Sequence, residues 1–388
     1  MQFIDLAAQQ KKIRKDLERR ILAVLDHGRY VMGEEITELE GLLADYCGAR
    51  HALACSSGTD ALVLALMALG AGPGDAVFTT PFTFVATAEA IALVGATPVF
   101  VDIDPQTYNL DPQALDRAVK ALKAGDAGSH PLPAGAVQGL TPRGIIPVDL
   151  FGLPADYDAI GKLAKKHGLW VVEDAAQSFG GVYKGRKACS LARIGCTSFF
   201  PAKPLGGYGD GGMCFTDDPD LHAAMVSLRV HGQGTDKYEN VRIGMNGRLD
   251  TLQAAVLLAK FTLFPQEVDL RQKVAARYTR HLAAHGTFVT PHIPKGCQSA
   301  WAQYSLLTQA RDRDRLLAHL KDQGVPTAVY YPLPLHLQKA FAPLGYKPGD
   351  FPVSENCAGR IFSLPMHPYL SAGDQEAVVG ALLEFGGK

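Results

Sequence analysis

The stretch Thr197-Ser-Phe-Phe-Pro-Ala-Lys-Pro-Leu-Gly-Gly-Tyr-Gly-Asp-Gly-Gly212 joins an apolar, strand-like run to a lysine and a glycine-rich turn. One predicted strand earlier, Val171-Val-Glu-Asp-Ala-Ala-Gln177 brings Asp174 to the end of another apolar run. A lysine is usually a solvated charge, but a partly desolvated one can lose its proton and condense with an aldehyde. An acid on a neighbouring strand end can hold a protonated pyridine nitrogen. Lys203 and Asp174 together indicate a site for pyridoxal phosphate.

The sequence around this pair alternates between short apolar runs and helical patterns from residue 50 to residue 216. Strands are predicted at 51–55, 76–80, 98–102, 145–149, 169–173, 196–200 and 212–216, and helices at 59–69, 87–94 and 157–167. Several of these runs lack polar alternation, as expected for strands that are covered on both faces. We therefore predict an α/β fold with a mostly parallel sheet of seven strands and helices on both sides.

The chemically suggestive residues all follow the carboxyl ends of predicted strands. Ser57 follows the first strand, Phe82 and Phe84 the second, Asp174 the fifth and Lys203 the sixth. Parallel sheets place their functional loops at this edge. The convergence of separate motifs on one edge is stronger evidence for a site than any motif alone.

The strand and helix alternation ends near residue 261, where a long helical stretch begins. We predict a large cofactor-binding domain at 1–261 and a smaller α+β domain at 262–388, with the N-terminal helix near the small domain. The segment 121–143 is rich in Gly, Ala and Pro, and we interpret it as an inserted surface loop.

Bulk composition excludes several classes of function. The net charge of −1 provides no basic field for nucleic acid or an anionic membrane. The seven cysteines are scattered singly without a CxxC pair, which favours reduced thiols in a cytoplasm and argues against zinc. The N-terminus does not read as a signal peptide, and the longest apolar run, 61–69, is far shorter than the ~20 residues that span a bilayer. We expect a cytoplasmic protein with no metal site.

Several motifs, in order, resemble the DegT/DnrJ/EryC1/StrS family of nucleotide-sugar aminotransferases, which have fold type I. The resemblance extends from Phe3-Ile-Asp-Leu6 to Ser363-Leu-Pro-Met-His-Pro-Tyr-Leu370 and includes both stretches quoted above. Within the family, the chain looks most like enzymes that aminate C3 of UDP-2-acetamido-2-deoxy-3-oxo-D-glucuronate. The resemblance implies pyridoxal phosphate as cofactor and a homodimer with shared active sites.

The cofactor-binding residues that the resemblance implies begin with Ser57-Gly-Thr-Asp60, between a strand and a helix. Alone, this segment is more typical of a plain helix N-cap, although the free N–H groups at a helix start also suit a phosphate. Asp174 would face the pyridine nitrogen, although a helix cap is its ordinary alternative. Phe84 would stack on the ring, with Phe82 as the alternative. The full implied set is Ser57, Gly58, Thr59, Phe84, Asp174, Gln177, Ser198 and Asn246, the last from the partner subunit.

The substrate-binding residues implied by the resemblance lie in two motifs. Arg229-Val-His-Gly232 resembles a basic stretch near the family's active site, although Arg229 is equally typical of a surface charge at a helix end. Tyr330-Tyr-Pro-Leu-Pro-Leu-His336 resembles a substrate loop. The implied contacts are Arg229, His231, Tyr330, Tyr331 and His336. The chain departs from the family at Asp149, where many members have histidine, and close relatives can also have histidine at Tyr330; both changes bear on specificity.

The predicted activity is transfer of the amino group of L-glutamate to a UDP-linked 3-keto sugar for surface polysaccharide or lipopolysaccharide synthesis. Lys203 would hold the cofactor as a Schiff base and then move the proton. An acceptor of the UDP- or dTDP-4-keto-6-deoxy class is the alternative, because the motif residues serve both. A sugar dehydrase on this fold would have histidine at position 203. A non-catalytic cofactor-binding regulator or scaffold would need neither Lys203 nor Asp174.

Overall fold

The structure is a computed structural model that describes residues 1–236, 238–308 and 312–386. The α-helices are α1 Leu6–His27, α2 Glu34–Cys47, α3 Gly58–Ala68, α4 Ala86–Leu93, α5 Pro112–Ala124, α6 Tyr157–His167, α7 Pro219–Arg229, α8 Thr251–Phe261, α9 Phe264–Ala283, α10 Arg313–Asp322, α11 Pro352–Arg360 and α12 Ala372–Gly386. The strands are β1 His51–Cys55, β2 Asp75–Thr79, β3 Thr97–Phe100, β4 Thr141–Ile145, β5 Trp170–Asp174, β6 Val182–Tyr183, β7 Arg186–Lys187, β8 Ile194–Ser198, β9 Gly212–Thr216, β10 Phe288–Val289, β11 Cys297–Gln298, β12 Tyr304–Thr308 and β13 Ile361–Leu364.

Helix boundaries follow local sequence signals. The α6 helix begins after Asp156, whose side chain accepts a hydrogen bond from the Ala159 N–H, and it ends at Gly168, which adopts a left-handed conformation with φ 74°. The α3 helix begins after Ser57, whose hydroxyl accepts from the Asp60 N–H. These caps satisfy N–H groups that have no partner inside the helix. The predicted helices at 59–69, 87–94 and 157–167 agree with α3, α4 and α6.

The main sheet has seven strands in the order β1-β9-β8-β5-β4-β2-β3. Neighbouring strands are parallel from β8 through β5, β4 and β2 to β3, whereas β9 is antiparallel to both β8 and β1. Ala52 and Ala54 of β1 pack with α2 and α8 on one face, and Leu53 and Cys55 pack with α3 on the other. The mostly parallel, seven-stranded sheet with helices on both faces is confirmed.

Two local predictions differ from the structure. The strand predicted at 145–149 is β4 at Thr141–Ile145, and Pro147, which has no N–H to donate to a ladder, follows two residues later. The chain nevertheless stays bonded to its neighbours, since the Ile146 N–H donates to the Phe78 carbonyl at 2.8 Å. The segment 121–143 is only partly a loop: it contains the last turn of α5, a 3₁₀ turn at Ala134–Gln138 and the start of β4.

A second, three-stranded sheet with the order β10-β12-β13 lies in the C-terminal part of the chain. The long helix α9 contributes buried residues to two cores. Phe264 and Val268 pack with the main sheet, whereas Tyr278 and Leu282 pack with β12 and β13. The domain division at residue 261 stays a prediction, because this helix belongs to both cores.

The helix α1 packs on α8 and α9. Ile13 and Leu17 pack against Val256 and Ala259 of α8. Gln9 donates two hydrogen bonds, at 2.8 and 2.9 Å, to the carboxylate of Glu267 in α9. Among the described residues, no helix combines the length and apolar character that crossing a bilayer requires.

Lys260, at the end of α8, is a buried cation beside this junction. Its Nζ lies 5.1 Å from the centre of the Tyr208 ring, and only 1 % of the residue is exposed. Burial lowers the pKa of Lys260 to about 8. The charge of Arg271 adds to this shift, and the charge of Glu267 opposes it. Keeping this ammonium charged in the folded protein therefore costs free energy below pH 8.

We predict that Lys260→Met removes a pH dependence of stability. Between pH 8 and 10.5 the folded wild type binds fewer protons at Lys260 than the unfolded chain, so its free energy of unfolding rises with pH over that window. The pKa shift corresponds to about 3 kcal/mol at ~1.4 kcal/mol per unit. Urea unfolding at pH 7.5 and 10.5 gives the free energy of unfolding of the wild type and of Lys260→Met. The difference between the two proteins cancels the contributions of the titrating groups that they share. A wild-type curve parallel to that of the variant would contradict the prediction.

Candidate active site

A small polar cradle is formed where α3 begins next to the end of β8. The close approach requires glycine at position 58, because a Cβ there would lie 2.6 Å from Ser198 Cβ. The first N–H groups of α3, at Gly58 and Thr59, have no carbonyl partner within the helix. The Ser57 hydroxyl accepts from the Asp60 N–H at 3.0 Å. Ser57, Gly58, Thr59 and Ser198 therefore converge on a place that suits a phosphate group.

Asp174 is the last residue of β5 and is 5 % exposed. One carboxylate oxygen accepts from the Thr87 hydroxyl at 2.7 Å, and the other accepts from the Ala176 N–H at 3.2 Å. Burial raises the pKa of Asp174, whereas these two hydrogen bonds and the positive charge of Lys203 lower it. An ionised carboxylate in so little water holds a cationic partner strongly.

Lys203 is partly buried in the turn that follows β8, and its N–H donates to the Phe200 carbonyl at 2.8 Å. Burial lowers the pKa of Lys203, and the charge of Asp174 partly reverses this effect. The structure thus brings Lys203 and Asp174 together, although 29 positions separate them in the sequence. An amine with a lowered pKa is more readily available as a nucleophile and proton carrier.

The carboxamide of Gln177 has a defined orientation. Its oxygen accepts from the Phe151 N–H at 2.6 Å, and its nitrogen donates to the Tyr331 hydroxyl at 3.1 Å. The second amide hydrogen is therefore available as a donor. Tyr331 lies 6.3 Å, centroid to centroid, from Phe84. Phe84 is 53 % exposed whereas Phe82 is fully buried, so Phe84 is the aromatic ring of the two that can cover a flat ligand.

A polar cavity of about 400 Å³ lies beside this cradle and is lined by Ser56, Asn246 and Arg248. Asn246 is exposed, which leaves it available to a neighbouring molecule. Arg248 makes no ion pair within the parts of the chain that the structure describes, although Asp210 and Asp250 line the same cavity. An arginine so placed can recognise an anionic group.

Arg229 has an environment that argues against direct substrate contact. The residue is 4 % exposed, and its guanidinium donates to Glu40 at 2.6 Å and to the Ala54 carbonyl at 2.7 Å. Glu40 also accepts from the Ala54 N–H at 2.8 Å. Arg229 thus joins α7 to α2 and β1 through an internal ion pair, and its role in substrate binding stays a prediction that this pairing does not favour.

The environment of His336 likewise differs from that of a substrate contact. It is 2 % exposed, packs against the Phe351 ring at 4.8 Å and pairs through Nε2 with Glu355 at 3.1 Å. Burial lowers the pKa of His336, and Glu355 opposes this shift. The structure thus gives His336 packing and ion-pair contacts inside the protein, and its role in substrate binding stays a prediction. Tyr330, by contrast, is only partly buried beside Tyr331.

His231 lies in the exposed turn after α7, where it adopts a φ of 57°. Its N–H donates to the Met245 carbonyl at 2.9 Å. This bond holds the turn against the segment that contains Asn246. A role for His231 in substrate binding stays a prediction.

Two contributors to the site were missed from the sequence. Thr87 donates to Asp174, and the backbone of Phe151 fixes Gln177. Thr87 ends the run Pro81-Phe-Thr-Phe-Val-Ala-Thr87, which follows β2, so its position in the sequence was an available signal. Phe151 contributes only its backbone N–H to this contact, so no pattern of side chains in the sequence predicts it.

Comparison with known proteins places this geometry in context. A family model described as the DegT/DnrJ/EryC1/StrS aminotransferase family matches residues 11–383. UDP-2-acetamido-2-deoxy-3-oxo-D-glucuronate aminotransferase of Pseudomonas aeruginosa is 48% identical over 98% of this chain and 99% of its own. A DegT DnrJ EryC1 StrS aminotransferase from Brucella abortus is 47% identical, with a TM-score of 0.93 over 100% of both chains. NtdA from Bacillus subtilis, solved with bound cofactor PMP, is 27% identical, with a TM-score of 0.85 over 100% of this chain and 83% of its own.

We predict that Arg229→Met mainly lowers stability. The substitution leaves Glu40 and the Ala54 carbonyl without their buried partner, which costs about 2–4 kcal/mol of unfolding free energy. Urea unfolding measures this loss. The control is Arg193→Met, which removes an exposed ion pair with Asp218 at 3.1 Å and should cost less than about 1 kcal/mol. Unchanged stability with a large rise in a substrate KM would restore the substrate role.

Proposed function

Because this chain belongs to the DegT/DnrJ/EryC1/StrS aminotransferase family and is a pyridoxal-phosphate-dependent aminotransferase, we propose that it transfers the amino group of L-glutamate to C3 of UDP-2-acetamido-2-deoxy-3-oxo-D-glucuronate. The observation that carries the proposal is the buried Asp174 close to a partly buried Lys203, beside an anion cradle at the start of α3. The acceptor is named for the Pseudomonas aeruginosa relative that matches nearly the whole chain.

The residues of the site fit this cofactor. The cradle of Ser57, Gly58, Thr59 and Ser198 would hold its phosphate, and the exposed face of Phe84 would cover its ring. The free amide hydrogen of Gln177 would donate to the ring hydroxyl. Asp174, fixed by Thr87, would hold the proton on the pyridine nitrogen. When bound, the cofactor supplies an aldehyde for the amine and an electron-withdrawing ring for the carbanion.

Lys203 would both anchor the cofactor and move the proton. Burial lowers its pKa, which makes the amine easier to deprotonate, as both tasks require. Held near the reacting carbon, the amine of Lys203 would serve as general base and acid. Burial raises the pKa of Asp174, and its two hydrogen bonds and the nearby positive charge oppose that rise.

The carboxylate of a glucuronate acceptor needs a cation, and the structure narrows the candidates. Arg229 already pairs with Glu40, and Lys203 would bind the cofactor and transfer the proton. Arg248 lines the polar cavity without an ion pair within the described ranges, which makes it the candidate for this carboxylate. Tyr330 and Tyr331 would contact the sugar from the opposite segment.

The active site would be completed by a second copy of the chain. Asn246 is exposed, and the nearby Tyr238 and Ile243 are 84% and 88% exposed, which is unusual for large apolar residues. A homodimer would cover them and bring Asn246 to the partner's phosphate cradle. The homodimeric enzyme would act in the cytoplasm and supply an amino sugar for surface polysaccharide or lipopolysaccharide.

A single-turnover experiment tests the acceptor. The protein is converted to the pyridoxamine form with L-glutamate, freed of excess and mixed with one keto-sugar at a time. The absorbance of the aldehyde form should return with the UDP-3-oxo-glucuronate, with the 3-amino product confirmed by mass. Return only with a 4-keto-6-deoxy sugar would select that acceptor class, and no reaction with glutamate would reject the proposed donor.

We predict that Lys203→Ala lowers the rate of this half-reaction by about 10²–10⁴-fold, because it removes the proton carrier. The rate is followed by the cofactor absorbance after addition of glutamate. The matched control is Lys187→Ala, which removes a lysine that packs over Tyr46 at 4.2 Å, away from the site. A regulator or scaffold would instead show no half-reaction in the wild type and an unchanged phenotype in the variant.

We predict that Arg248→Met selectively weakens the acidic acceptor. A charge-assisted hydrogen bond to a carboxylate contributes about 1.5–3 kcal/mol. The kcat/KM ratio for UDP-3-oxo-glucuronate over UDP-3-oxo-N-acetylglucosamine, which lacks the sugar carboxylate, should therefore fall at least ~10-fold. Arg193→Met serves as the surface control. Equal losses with both acceptors would show that Arg248 does not read the carboxylate.

A further inference from the structure

Asp149 is fully buried behind the candidate site and accepts several hydrogen bonds. One of its oxygens accepts from the Ala155 N–H at 2.9 Å and from the Tyr157 hydroxyl at 2.8 Å. The other accepts from the Ser178 hydroxyl at 2.7 Å. Asp149 therefore joins the turn at residues 149–155 to the residue that directly follows Gln177.

The turn that Asp149 holds is the one that orients Gln177. The Asp149 N–H donates to the Asp174 carbonyl at 3.0 Å, which fixes the start of the turn against β5. Phe151 then adopts a left-handed conformation, φ 60° and ψ 7°, which is unfavourable for a residue with a Cβ. In that conformation the Phe151 N–H points at the Gln177 oxygen, at 2.6 Å.

A second buried acid, Glu173, interacts directly with Asp149. Its two oxygens accept from the Cys189 N–H at 2.6 Å and the Leu191 N–H at 2.9 Å, and its carboxyl group is hydrogen-bonded to that of Asp149. Two carboxylates in contact need a proton between them. Burial raises the pKa of Glu173, and the charge of Asp149 raises it further.

Burial also raises the pKa of Asp149, to about 7, and the hydrogen bonds from Ala155, Ser178 and Tyr157 oppose this shift. Three donors from the protein therefore surround Asp149, which is the arrangement that stabilises a buried carboxylate. A neutral amide at position 149 would present its own N–H groups to at least one of these donors. The turn and Ser178 would then lose a common acceptor.

We propose that Asp149 is a positioning residue for the reaction, because it holds the Phe151 turn and thereby aims the amide nitrogen of Gln177 at the cofactor. This inference rests on the proposed role of Gln177 toward the ring hydroxyl. If the carboxamide were rotated, its oxygen would face the ring oxygen and the two acceptors would repel each other. The backbone contact of Phe151 with the Gln177 oxygen prevents that rotation.

The test uses Asp149→Asn, Gln177→Leu and the double variant, each loaded with pyridoxal phosphate. We expect Asp149→Asn to weaken cofactor binding to the apoprotein about tenfold. The pH midpoint of the visible absorbance of the bound cofactor should rise by about half a unit or more, because losing a donor to the ring oxygen makes the lysine–cofactor nitrogen more basic. Gln177→Leu should give a similar rise, and the double variant should add little to it.

Glu173→Gln is the matched control. Its amide still donates to Asp149 but cannot accept from both backbone N–H groups, so its melting temperature should fall while the absorbance midpoint stays unchanged. Should Asp149→Asn fail to fold, Tyr157→Phe and Ser178→Ala each remove one donor to Asp149 and should shift the midpoint in the same direction by a smaller amount.

An Asp149→Asn variant that loses stability without a change in midpoint would overturn the inference. A midpoint in the double variant that rises by the full sum of the two single shifts would also overturn the inference, because Asp149 would then act independently of Gln177. The wild-type half-reaction with glutamate is measured in parallel. If the wild type shows no half-reaction, the proposed function is rejected. The pH midpoints of the cofactor absorbance test the positioning role of Asp149 separately.

Discussion

The site depends on an aspartate and a lysine that are held together at an edge of the sheet with little water. In bulk water their attraction would be weak, and the lysine would stay protonated at neutral pH. Burial raises the pKa of Asp174 and lowers that of Lys203, while each charge counteracts the shift of the other. The site thus places a buried carboxyl group next to an amine whose proton is easier to remove, which is the combination that a pyridine aldehyde requires.

The sheet makes this combination possible because the ends of β5 and β8 are neighbours. Asp174 pairs with Cys196 in the parallel ladder, so Ser198 and the turn with Lys203 emerge at the same edge. The start of α3 reaches that edge through Gly58, which allows the close contact with Ser198. Regular backbone structure thus positions the anion cradle, Asp174 and Lys203. The surrounding loops would determine which acceptor sugar binds.

Local sequence was sufficient for the seven strands of the main sheet to within a few residues, for α3, α4 and α6, and for the meeting of Asp174 with Lys203, because period, caps and glycine positions are local signals. It did not reveal the surroundings of Arg229 and His336. Their partners, Glu40 and Glu355, lie elsewhere in the chain, and only the folded structure shows that these basic groups are already paired. Motif resemblance alone does not separate a substrate contact from an internal ion pair.

The burial of Asp149 gives this residue a role away from the sugar. Asp149 is far too buried to meet a sugar, so its proposed effect on the reaction is exerted through the turn and through Gln177. The charge of Asp149 raises the pKa of Glu173, the immediate neighbour of Asp174. Asp174 would thus serve the cofactor directly, and Asp149 would serve it indirectly through Gln177.

The most direct test of the account is to locate the covalent attachment of the cofactor. The purified protein is loaded with pyridoxal phosphate, treated with sodium borohydride to make the bond between aldehyde and amine permanent, digested and analysed by mass spectrometry. The account predicts that the cofactor is found on the peptide that contains Lys203. Attachment mainly to another lysine, or no attachment at all, would contradict it.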